Sequence, residues 1–312
     1  MPDACIISVG SINVDFQMRT DRWPDAGETL VGQDFLMTGG GKGANVAVLA
    51  RRLGVPAMVI GRVGDDILAG EAVQPMKEDG IDIRHVQKTA NTPTAVSTIV
   101  VRPSGRKTII LATNANDAWP ESDEEMVKRA ISDAPGGSVL TIDLEVPVFI
   151  VRAAMKAARQ RSFKVVLDPS PAGRMEDDLY ELIDVVTPNP SEGHVLTHVE
   201  VTSPEDARRS GQELLRRGVG AVCQKLAGGG CVLVTSDGTH HIKSNDVEVV
   251  DTTGAGDAFA GALSVALLEQ KSLRDAARFA VACADVAVTT YGSQEAYPTR
   301  DELEQALARL PE

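Results

Sequence analysis

The chain has 312 residues, a formal net charge of −13, and 43% hydrophobic and 24% charged residues; this length suits one large α/β domain or two ordinary ones, and the composition suits water. No apolar run approaches the roughly 18 residues that a membrane helix needs, and the acidic balance argues against wrapping nucleic acid or an anionic membrane, which both demand clustered Lys and Arg. An anionic ligand must therefore be met by helix N-termini, backbone amides and a divalent cation, in glycine-rich turns rather than basic patches.

The N-terminus, Met1 to Gly10, has no basic segment before its short apolar stretch, so it reads as a first buried strand of a cytoplasmic protein rather than a signal peptide. Cys5, Cys223, Cys231 and Cys283 form no CxxC pair and stand at no zinc spacing with a His, which makes them buried, reduced thiols. In Gly10-Ser11-Ile12-Asn13-Val14-Asp15, Asn13 and Asp15 stand two apart on a strand and project from one face, an arrangement suited to holding a diol. A solvated edge strand is the plain alternative. Residues 14–19, part of 29–38, and two runs within 94–111 joined at Pro103-Ser104-Gly105 alternate apolar and polar residues, the mark of strands with one wet face. They are expected to form a small separate β-sheet, a lid over about 13–38 and 92–113.

Elsewhere the spacing predicts helices near 42–54 and 67–79 around a strand at 56–61, then strands at 138–142, 163–168 and 184–187 separated by helical stretches. That alternation reads as a central, mostly parallel sheet flanked by helices. In the last third, strands are expected at 220–224, 230–235 and 247–250, a hairpin turn at Ser236-Asp237-Gly238, and Ala-rich helices near 255–269 and 273–289. No repeat or long linker interrupts the chain, so 1–312 is expected to be one unit.

Glycine turns carry the chemistry. Asp251-Thr252-Thr253-Gly254-Ala255-Gly256-Asp257-Ala258-Phe259 opens an Ala-rich helix, and its glycines and helix N-terminus make an anion hole for a transferring γ-phosphate. Asp257 lies in the first turn, where a carboxylate can accept the proton of an attacking hydroxyl; a simple helix cap is the alternative for an Asp taken alone. Gly39-Gly40-Gly41-Lys42-Gly43-Ala44-Asn45 permits close backbone approach and supplies donors from Lys42 and Asn45. Its Gly-x-Gly resembles a dinucleotide-binding turn, but Val46 stands at the third glycine position, no acidic residue ends the next strand, and Gly43 after the Lys excludes a Walker A loop.

The nine-residue pattern at 251–259 resembles the C-terminal signature of the ribokinase-like (phosphofructokinase B type) carbohydrate kinases, and matching motifs run in the family's order from Gly10 to Gly292. The Gly-Gly-Lys-Gly-Ala-Asn version at 40–45 is similar to that of the ribokinase branch. This resemblance implies ATP-dependent phosphorylation of the primary hydroxyl of a small sugar, D-ribose first, with another sugar such as deoxyribose or ketohexose, or a nucleoside, as alternative. It implies Asp257 as base and Asn13, Asp15, Gly41, Lys42, Gly43, Asn45, Glu145 and Asp257 as sugar contacts. ATP would be met by Asn189, Lys225, Ala227, Gly228, Gly230, Gly254, Ala255 and Gly256. Glu192 of Asn189-Pro190-Ser191-Glu192 would hold Mg²⁺ through water, and Asp251, Thr253, Ala287, Thr290 and Gly292 would surround K⁺. Lys225-Leu226-Ala227-Gly228-Gly229-Gly230 departs from the family's Thr-Leu-Gly-Ser-x-Gly and loosens the nucleotide assignment. The family's lids pair two subunits, which implies a homodimer. His194 and His198, four apart, are set aside as metal ligands because no Glu accompanies them, and His240-His241 are assigned to the hairpin.

Overall fold

Short β-branched runs, flanked by glycine and proline turns, build the sheet that positions the site. The computed structural model describes residues 3–311; Met1, Pro2 and Glu312, at the ends of the expected unit, lie outside the described residues. In chain order come β1 (Ile6–Val9), β2 (Asn13–Arg19), β3 (Gln33–Gly40), α1 (Lys42–Arg52), β4 (Ala57–Gly64), α2 (Leu68–Glu78) and β5 (Asp82–Thr89). Then follow β6 (Ala95–Val101), β7 (Lys107–Ala112), α3 (Asp123–Ser132), β8 (Val139–Asp143), α4 (Val148–Gln160), β9 (Lys164–Asp168) and β10 (Val185–Val186). The last third holds α5 (Pro190–Thr197), α6 (Pro204–Arg216), β11 (Ala221–Lys225), β12 (Cys231–Thr235), β13 (Gly238–Ile242), α7 (Ala255–Leu268), α8 (Leu273–Ala287) and α9 (Arg300–Arg309).

The main sheet runs β13-β12-β11-β10-β9-β8-β1-β4-β5, with only β12 and β13 antiparallel to their neighbours. Helices cover both faces, so its inner strands are mostly apolar, while the edge strands β5 and β13 are polar. Ile6 points into the layer with α1, α7 and α8, whereas Cys5, Ile7 and Val9 point into the layer with α4. The strand order reverses between β1 and β8: the chain leaves β1 toward β4 and β5, then returns to β8 on its other side. In open α/β sheets the crevice beyond the carboxyl ends at such a reversal is where ligands bind. Ser11 and Glu145 lie there.

A separate four-stranded sheet, β3-β2-β6-β7, stands beside this crevice. Asn13, Asp15 and Gln17 of β2 alternate on its buried face, while Phe35, Met37, Ile109 and Ile110 of β3 and β7 are exposed. The α/β architecture and the small sheet agree with the sequence reading.

Three local expectations change. Residues 247–250 form no strand: the amides of Val250 and Asp251 both turn to the carbonyl of Val288, just past α8, instead of to a neighbouring strand. The β9–β10 connection contains only short 3-10 turns, because Pro169, Pro171 and Gly173 interrupt an α-helix. His198 is not on the helix face of His194, since α5 ends at Thr197 and His198 adopts a left-handed conformation at φ 60°.

Candidate active site

Helix α7 begins at a residue that cannot cap it with a side chain. Gly254 is its N-cap at φ 73°, with no side-chain cap, a conformation that disfavours residues with a Cβ. The first-turn amides are left to an anion, aided by the helix dipole. Asp257 lies in that first turn and does not cap it. Its Oδ1 accepts from Lys42 Nζ at 3.2 Å and its Oδ2 from Asn45 Nδ2 at 2.7 Å. Asn45 is oriented in turn, its Oδ1 accepting from Gln294 Nε2 at 2.9 Å. The donors from α1 aim the carboxyl group outward from α7.

Lys42 reaches this point because Gly41, at φ 91°, brings the chain against the β1–β2 connection: a Cβ there would lie 2.6 Å from the Ser11 carbonyl oxygen. Besides Asp257, Lys42 Nζ contacts Asp168 Oδ2 at 3.4 Å. Burial alone would push the Lys42 ammonium down, but the carboxylates of Asp168, Asp257, Glu145 and Glu192 hold it well above its ordinary value. Asp168 shows the complement. Burial opposes its charge, yet Lys42 and Lys225 keep it below the usual carboxylate range.

On the facing small sheet, Asn13 and Asp15 are 3% and 5% exposed. Asn13 is held at both ends, donating to Ser97 Oγ at 3.2 Å and accepting from Asn116 Nδ2 at 2.7 Å. Burial raises the Asp15 carboxyl to about 7, against a hydrogen bond from Ser97 and with help from the charges of Asp257 and Glu145. Glu145 is raised by burial as well, opposed by Lys42. Its backbone amide and that of Ser11 both donate to Asp143, at 2.8 and 3.1 Å. The structure therefore gathers Asn13, Asp15, Gly41, Lys42, Gly43, Asn45, Glu145 and Asp257 around one crevice.

The residues expected to meet the nucleotide and cations are more dispersed. Lys225 lies beside the anion hole, 3.8 Å from Asp168 and 5.9 Å from the Phe259 ring, and a Cβ on Gly256 would sit 3.5 Å from its Nζ. Ala227, Gly228 and Gly230 belong to the β11–β12 turn, closed by Leu226 N donating to Gly230 O at 3.1 Å. Asn189 and Glu192 cap α5 reciprocally, each side chain accepting from the other's amide. Asp251, Thr253 and Gly292 meet: Asp251 accepts from Thr253 N and Oγ1 at 2.8 and 2.7 Å and from Gly292 N at 3.1 Å. Ala287 ends α8, and Thr290 is exposed. Among the described residues no group of three or more His, Cys, Asp or Glu is arranged to hold a metal directly.

Several polar residues here carry no motif of their own. Asp168 ends β9 as a carboxylate at a strand's carboxyl end, and that position was its signal. Asn116 and Gln294 sit in short 3-10 turns with none. Lys107, the first residue of β7, donates to the Thr252 carbonyl at 3.0 Å; burial lowers its pKa, partly offset by Asp257 and Asp251.

Comparison with known proteins matches this architecture. Residues 3–300 match the pfkB family of carbohydrate kinases. The chain is 35% identical over 294 residues to the ribokinase of Haemophilus influenzae, covering 94% of this chain and 95% of that one. It is 30% identical over 304 residues to the deoxyribokinase of Salmonella typhi, covering 97% and 98%. The ribokinase of Arabidopsis thaliana, solved in complex with ribose and ATP, superposes with a TM-score of 0.83 at 29% identity, over 98% of this chain and 99% of that one. The chain thus belongs to the pfkB family of carbohydrate kinases.

Proposed function

We propose that this enzyme transfers the γ-phosphate of ATP to the primary hydroxyl of a small sugar, D-ribose first, with Asp257 taking the hydroxyl proton. The observation that carries this reading is the placement of Asp257. It stands at an uncapped helix N-terminus, held by Lys42 and Asn45 and facing the Asn13–Asp15 strand. As the sugar oxygen forms its bond to phosphorus and the bond to ADP breaks, the proton passes to the Asp257 carboxylate, and the amides at the start of α7 meet the phosphoryl oxygens. Lys42, Asn13, Asp15 and Glu145 hold the other hydroxyls. Lys225 supplies a charge to the phosphates where relatives of this family carry a hydroxyl, beside the 227–230 turn, so ATP is met mainly by backbone and one ammonium.

The donors fit a hydrated Mg²⁺. Asp168 Oδ1 is buried with no hydrogen-bond partner, and burial, then the charge of Asp168, raises the Glu192 carboxyl, which a cation nearby would relieve. When bound, Mg²⁺ neutralises phosphate charge, with Glu192 holding it through water. A monovalent ion such as K⁺ fits beside Asp251, which is fully buried and forms no ion pair among the described residues, with backbone of Ala287, Thr290 and Gly292 and the Thr253 residue around it.

The small sheet serves as the lid of a single domain, closing over the sugar and excluding water. Its exposed Phe35, Met37 and Ile110, which share the outer face with Phe16, offer an apolar face for the lid of a second copy, giving a homodimer. The ATP requirement and four buried free cysteines favour the cytoplasm. Deoxyribose is a second reading, because the deoxyribokinase of Salmonella typhi covers the chain as fully as the ribokinases do. ADP release measured against ribose, deoxyribose, ketohexoses and nucleosides decides between them: ribose should give the highest kcat/KM, and a nucleoside preference would overturn the assignment.

A further inference from the structure

Gln17 continues the buried face of β2 that carries Asn13 and Asp15, and it is 1% exposed. Its amide does not point into the sugar crevice. Nε2 donates to Asp251 Oδ2 at 2.6 Å. Asp251 lies three residues before Gly254, and its other oxygen holds the backbone and hydroxyl of Thr253. The conformation of the turn that opens α7 therefore hangs on this carboxylate. Among the described residues, Gln17 supplies the one side-chain donor from the small sheet to it. The loop that gives Asp251 its remaining donor, Gly292 N, is also packed on the same strand, with the Arg19 guanidinium 4.3 Å from the Tyr291 ring centroid. Parted from Asp251, the buried Gln17 amide would lose this charge-assisted bond and Asp251 one of its four donors, so the pair resists separation.

We infer that Gln17 is a positioning residue, linking the sugar-holding strand to the phosphate-binding turn through Asp251. A sugar that fixes β2 through Asn13 and Asp15 thereby fixes Thr253 and Gly254, and the anion hole takes its productive shape when the acceptor is in place. Misplacement of reacting groups by about 1 Å can cost on the order of a hundredfold in rate, so the effect of Gln17 falls on kcat. The inference rests on the sugar-kinase reading above.

Gln17→Met keeps the side-chain volume and removes the donor; Gln17→Asn keeps an amide too short to reach Asp251. In both, kcat should fall by about tenfold to a hundredfold, while the sugar KM stays within about threefold. Hydrogen exchange supplies a second readout. In the wild type, sugar slows exchange of the amides of residues 252–257, and in Gln17→Met it binds without that protection. Adding Gln17→Met to Asp251→Asn should cost no further kcat. Wild-type kcat and protection in both variants would overturn the inference, as would loss of sugar binding or a collapse of the melting temperature in both, which would make Gln17 a structural brace. A wild-type enzyme that phosphorylates no sugar overturns both readings, whereas sugar-kinase activity untouched by these variants overturns this one alone.

Discussion

The two halves of the crevice are built by different means. On the side proposed for the sugar, side chains are held by other side chains: Asn13 by Ser97 and Asn116, Asn45 by Gln294, Asp257 by Lys42 and Asn45. On the side proposed for the nucleotide the elements are a glycine turn at 227–230, an uncapped helix start and a self-capping Asn189–Glu192 pair, with Lys225 as a largely buried charge. A sugar presents hydroxyls at fixed angles, and recognising them requires donors and acceptors set in advance. A triphosphate is recognised by charge and by amides, which any residue supplies. Under the proposed assignment, the difference puts specificity on the small-sheet side and general phosphate affinity on the other.

That contrast can be broken in order of size. The largest change short of removing the base is expected from Lys42→Met, which leaves Asp257 and Asp168 facing each other without their shared ammonium. Steady-state kinetics should show kcat/KM for the sugar down by about a thousandfold, because a buried carboxylate stripped of its partner costs about 3–5 kcal/mol. Lys225→Met should raise KM for ATP by about tenfold and leave the sugar KM unchanged, in line with about 1.4 kcal/mol for one charged contact. Equal effects on both substrates would erase the division between the halves.

Smaller still is the pH dependence of Asp15. Its carboxyl is raised to about 7 from 3.8, so the folded protein keeps a proton that the unfolded chain has lost. Stability therefore falls as pH climbs from about 4 to about 7, and the cost is complete above that. Asp15→Asn should flatten this slope in melting temperatures taken between pH 4 and 8, giving a variant more heat-stable than the wild type at pH 8. The smallest effect on chemistry belongs to Ile110→Lys on the exposed face of β7. It should shift the protein toward monomer in sedimentation while leaving the Asp257 environment, and so most of kcat, in place.

Much of this was legible beforehand, for a reason that separates the same two classes of residue. Motifs such as 40–45 and 251–259 act through neighbours in sequence, and the alternation of strands and helices is local; both survive being read as a string. Asp168 and Gln17 owe their roles to partners 126 and 234 residues away, a distance that no spacing expresses. The segment 247–250 misled for the converse reason. Val-Glu-Val-Val has the composition of a strand, but its backbone finds Val288 rather than a ladder. Gln17 was still half visible, since the period-2 pattern that marks Asn13 and Asp15 runs on to it.

Asp257 remains the group on which the proposed chemistry turns; the cap of α7 is Gly254, and the Asp257 carboxylate is engaged by Lys42 and Asn45. The most direct test is sugar-dependent ADP release by Asp257→Asn, alongside calorimetric binding of the sugar. Turnover should fall by about three orders of magnitude while sugar affinity stays within about tenfold and the fold is retained. Near-normal turnover in that variant would contradict the assignment of Asp257 as the base.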